Sequence, residues 1–85
     1  MDKQDLKDLI ANNKTNEAIL ELLKMTKDSE YESDVILQSR AYKQYERDSI
    51  RGNKANEDLT ILLNQINHRL LSIISHFDEP IKKKP

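Results

Sequence analysis

Leu59, Leu63, Ile66, Leu70, Ile73 and Phe77 fall at intervals of 4, 3, 4, 3 and 4 residues near the end of the chain. Apolar side chains spaced in this way line one side of an α-helix as a heptad-type seam. Asn64, Gln65, His68 and Arg69 interrupt the run in sequence only, because at ~100° per residue they turn away from the seam. The spacing predicts a long helix from Lys54 or Asn56 to Phe77, with Asn53 or Asn56 as its cap. Asn67 lies at the border of the seam, and Ile61 and Leu71 lie well off it.

The same reading predicts three helices upstream. Leu6, Leu9 and Ile10 form one stripe over 3–11, capped by Asp2, with Asp5 in the first turn. Asn12-Asn13 ends that helix, since asparagine tolerates the left-handed conformation better than most residues. Thr15 is the expected cap of a second helix over 16–27, apolar around more than half its circumference through Ala18, Ile19, Leu20, Leu22, Leu23 and Met25. Asp28-Ser29 is the expected cap of a long third helix over 30–51, which Gly52 ends. Tyr31, Val35, Tyr42 and Tyr45 mark its inner face, with Gln38, Ser39 and Glu46 sharing or flanking it.

One glycine and two prolines in 85 residues leave too few turn residues for a sheet. The fold class is therefore all-α. A turn at Gly52 brings the two long helices back antiparallel, so that Tyr45 meets Leu63, Tyr42 meets Ile66, Val35 meets Ile73 and Tyr31 meets Phe77. The first two helices form a helical hairpin that covers this pair, completing a small four-helix bundle.

Composition narrows the function. Fourteen Lys and Arg against fifteen Asp and Glu give a net charge of −1, without the basic surplus usual in nucleic-acid binders. The absence of cysteine removes disulfides and thiolate metal sites, and no apolar run reaches membrane-span length. The expectation is a soluble cytoplasmic chain, with no nucleic-acid or membrane partner. His68 and His76 are about 12 Å apart along one helix, too far to share a metal. A single glycine precludes a phosphate-binding loop, and no Ser, His and acid cluster has a catalytic spacing. No enzyme, cofactor or metal site is expected. Tyr42 and Tyr45 read as core or boundary residues rather than a base-stacking platform, and Lys82-Lys83-Lys84 as a polar tail. Ile36, Leu37, Ile50, Ile61 and Leu71 lie off the inner faces. The hairpin is expected to cover some of them, and any left exposed would form an apolar patch of the docking kind.

Three segments in order, LKDLIANNKTNEAILELLKMT, VILQSRAYKQYERDSIRG and LLNQINHRLLSII, resemble the effector-associated domains of prokaryotic conflict systems, specifically the type numbered eleven. The resemblance rests on Leu9, Ile10, Thr15, Ala18 and Ile19; on Val35, Ile36, Leu37, Ser39, Arg40 and Gly52; and on Asn64, Ile66, Asn67, Leu70 and Leu71. It covers residues 5–77. The chain departs from the family pattern at Asn13, where glycine is usual, at Ala55, where a serine or threonine cap is usual, and at Gln65, where arginine is usual.

The resemblance implies an adaptor without a substrate. Its partner would be a protein bearing a related effector-associated domain, another copy of this chain included, engaged like-with-like in the manner of animal death-fold domains. Domain 1–78 would carry this role, with 79–85 as a polar tail or the start of a linker. The expected docking residues are Arg40, Arg47 and Arg51, meeting acids such as Asp5, Asp8 or Glu21 on another copy, with Asn67 as a further candidate. Arg40 and Asn67 also have a structural reading, as members of a network bonded within the bundle. The alternative function is a structural oligomerisation bundle whose heptad seam is shared between subunits.

Overall fold

The computed structural model describes residues 2–52 and 55–77. It contains four helices: α1 (Lys3–Ala11), α2 (Thr15–Met25), α3 (Glu32–Arg51) and α4 (Asn56–His76). Each helix packs on its neighbours in a closed ring, α1 on α2 and α4, α3 on α2 and α4. The two short helices thus sit against the long antiparallel pair, as expected.

Helix ends follow from local chemistry. Asp2 and Asp5 form a reciprocal capping box: the Asp5 N–H donates to Asp2 Oδ1 at 2.8 Å, and the Asp2 N–H to Asp5 Oδ2 at 3.3 Å. Asn13 has φ 61 and Gly52 has φ 68, so both expected stops use the left-handed conformation. Three N-terminal caps differ from expectation. Thr15 is the first residue of α2 rather than its cap; Lys14 holds the cap position without a side-chain bond. Helix α3 begins at Glu32, because Asp28 takes φ 63 and the buried Ser29 hydroxyl donates back to the Thr26 carbonyl at 2.6 Å. That turn consumes the residues read as a cap and sets the direction of entry into α3. Ala55, not Asn56, caps α4 and offers no side-chain acceptor; Asn53 and Lys54 lie outside the described residues.

The core is short along the bundle axis. At ~1.5 Å per residue the nine and eleven residues of α1 and α2 cover about half the length of the 20-residue α3. Leu6, Ile10, Ala18, Ile19, Leu22, Val35, Ile66, Leu70, Ile74 and Phe77 are buried in that covered half. Beyond the hairpin, Leu59, Leu62 and Leu63 are only half-buried, as are Tyr42 and Tyr45, whose rings lie 5.6 Å apart. Burial raises the Tyr42 phenol above its ordinary value of 10.0, with Glu46 and then Tyr45 adding to it. The phenol therefore stays neutral throughout the physiological range.

The expected pairing of Tyr31 with Phe77 is present, with ring centroids 6.0 Å apart in edge contact. The Tyr31 hydroxyl also donates to the His76 carbonyl at 3.0 Å.

A candidate docking surface

Asn67 comes first, because the fold occupies it. Thr15 is buried at the start of α2 and its hydroxyl donates to Asn67 Oδ1 at 2.8 Å, tying α2 to the middle of α4 across 52 residues of sequence. The within-bundle reading of Asn67 is therefore the one its side chain adopts. Thr15→Val is expected to cost about 1–2 kcal/mol, since it strands a part-buried acceptor, whereas Thr15→Ser keeps the donor and costs less. Urea denaturation of the two variants checks this; equal losses would mean that the hydroxyl contributes nothing.

The acidic candidates are exposed or half-exposed, and each already has a partner on its own element. Asp5 belongs to the capping box, Asp8 Oδ1 accepts from Gln4 Nε2 at 3.0 Å, and Glu21 lies 3.5 Å from Lys24. The arginines differ. Arg40, Arg47 and Arg51 are all exposed on α3, and none forms an ion pair with a described residue. The within-bundle reading of Arg40 therefore finds no acid among the described residues, Glu46 included.

Helix α3 is the least committed element of the bundle. Of its 20 residues only Val35 and Asp48 are buried. Asp48 was not expected in the core; it follows Tyr45 by three positions on the inner face, and its Oδ1 accepts from Gln44 Nε2 at 3.0 Å. Spacing alone could have placed it there, but its charge argued against burial.

The hairpin leaves the off-face apolar residues largely uncovered. Leu71 packs half-buried on the core, while Ile36, Leu37, Ile50 and Ile61 remain exposed, Ile50 at 85% and Leu37 at 57%. Leu20 of α2, read as part of an apolar helix, is exposed as well. Three of these five exposed residues lie on α3, beside its arginines. A shallow groove along the outer side of α3 and α4 is lined by Asp34, Leu37, Gln38, Arg69, Ser72 and Ile73. His68 and His76 are exposed, and no cluster of three metal-ligating side chains occurs among the described residues.

A small helical bundle that exposes arginines without an ion pair among the described residues, with aliphatic side chains beside them, has the surface chemistry of a protein-interaction module. Residues 1–78 match the family of effector-associated domain 11, and the chain belongs to that family. Domains of this family are non-catalytic adaptor modules, and this chain has a protein-interaction role of that kind rather than an enzymatic one. No curated protein and no solved structure matches the chain. Among the described residues, no helix is long and apolar enough to cross a membrane.

Proposed function

We propose that this domain recruits an effector or sensor protein in a bacterial conflict system through like-with-like contacts with domains of its own family. Family membership over residues 1–78 carries the reading. The exposed arginines of α3, which form no ion pair with a described residue, and the apolar side chains beside them support it, because such groups are free to engage a partner surface. Recruitment then works by tethering: a domain attached to an effector raises that effector's local concentration at the sensor without any new chemistry. The domain acts in the cytoplasm; the tail over 79–85 lies outside the described residues. The alternative of a seam shared between subunits is disfavoured, since Ile66, Leu70 and Phe77 are buried inside a single copy.

Titration of this chain against other domains of the same family from the same cell tests the reading. Binding to at least one is expected, weakened about tenfold or more by Arg47→Glu with the helical circular-dichroism spectrum unchanged. Binding to none of them, or binding indifferent to Arg47→Glu and to Arg40→Glu, would contradict it.

A further inference from the structure

The exposed stripe of α3 has an order of its own. Asp34, Leu37, Arg40, Gln44, Arg47 and Arg51 follow one another at intervals of 3, 3, 4, 3 and 4 residues, and all six are exposed. Glu30 stands four residues before Asp34, just ahead of the first residue of α3, and lines a neighbouring depression together with Asp34. Read along the helix, the stripe is acid, acid, leucine, arginine, glutamine, arginine, arginine. Favourable charge at the helix ends accounts for Asp34 in the first turn and Arg51 in the last. It leaves Leu37, Arg40 and Arg47, one to several turns inside, unaccounted for. Within one copy the spacing is unfavourable, because Arg47 and Arg51 are like charges at i, i+4.

Turned end for end, the stripe becomes its own complement. When two copies of α3 lie antiparallel, the Arg47 side chain reaches across the seam to Asp34, and Leu37 meets the methylenes of Gln44. Glu30, just ahead of the helix, lies toward Arg51. Arg40 falls beside the two-fold axis next to its own copy, the one like-charge contact of the pair. Each charged pair then occurs twice. A parallel arrangement instead sets acid on acid and base on base.

We propose that α3 is the docking helix of the domain and pairs antiparallel with α3 of a second copy about a two-fold axis next to Arg40. This rests on the like-with-like reading above and specifies its geometry. It replaces Asp5, Asp8 and Glu21 as the acidic partners with Asp34 and Glu30. Asp34 makes no ion pair with a described residue, although Arg69 borders the same groove. An interface of this kind uses the same patch on both copies and therefore closes at the dimer.

The chain has no cysteine, so an introduced thiol reports only its own contacts. Under mild oxidation of the 85-residue protein, Arg40→Cys is expected to link to itself across the axis. Leu37→Cys and Gln44→Cys are each expected to stay unlinked alone and to link to one another when mixed. Arg47→Glu should weaken dimerisation about tenfold or more, and D34R/R47D in one chain should restore it. Three results would overturn the proposal: a parent chain monomeric up to millimolar concentration, an assembly growing past the dimer, or a dimer in which Arg40→Cys fails to link. The first leaves recruitment of a different family member in place, and the last leaves self-association through another face. Failure of the geometry is thus distinguishable from failure of the adaptor reading.

Discussion

Phe77→Ala is expected to remove a large share of the domain's stability. The residue follows the last helical position of α4, yet its side chain is fully buried. Its ring meets the edge of Tyr31 at the entry to α3, and Lys3 Nζ of α1 lies 5.2 Å from its centroid. One side chain therefore closes the end of the bundle where α1, α3 and α4 converge. Truncating a buried phenylalanine costs about 3–5 kcal/mol through lost burial and the cavity left behind. A domain of this length has a total stability of roughly 4–13 kcal/mol, so the loss is a large share of the whole. Urea denaturation should show a strongly lowered midpoint with little change in slope. A loss under about 1 kcal/mol would mean that the closed end contributes little to the fold.

The second large effect is a contrast along one helix. Leu70 and Leu63 occupy equivalent positions of the same heptad seam, one heptad apart. Leu70 is fully buried under the hairpin, whereas Leu63 lies past its end and is half-buried. Leu70→Ala is expected to cost about 2–5 kcal/mol. Leu63→Ala should cost about 1 kcal/mol, because little surrounding structure is left to form a cavity. Equal losses measured side by side would show that the long pair is covered along its whole length. That result would also remove the physical basis for an open half of the bundle.

Much of this architecture was legible in the sequence because it depends on local rules. Asn13 and Gly52 mark the left-handed stops, the 4-3-4-3-4 run marks the inner side of α4, and the antiparallel turn sets Tyr31 against Phe77. The failures occur where a tertiary contact decided the outcome. Thr15 looked like a cap because of its residue type, but a partner 52 residues away draws its hydroxyl to Asn67. Ile74 fell outside the seam because a heptad describes contact with one neighbour, and α4 packs on both α3 and α1. Leu20 counted toward the apolar circumference of α2 yet is exposed, because an apolar helix gives no sign of which side faces the core. The extent of the hairpin was equally hidden. Helix lengths were nearly right, yet how far two short helices reach along two long ones is a matter of packing. The candidate docking arginines were legible only as charges; that they are exposed and form no ion pair with a described residue required the fold.

Light-scattering mass from low micromolar to millimolar concentration, run on the parent chain and on Arg47→Glu together, tests docking through α3 most directly. The expected result is a parent mass that rises toward two copies and levels there, while Arg47→Glu remains at one copy across the range. Superimposable curves for the two chains, whether both rise or both stay flat, would contradict it.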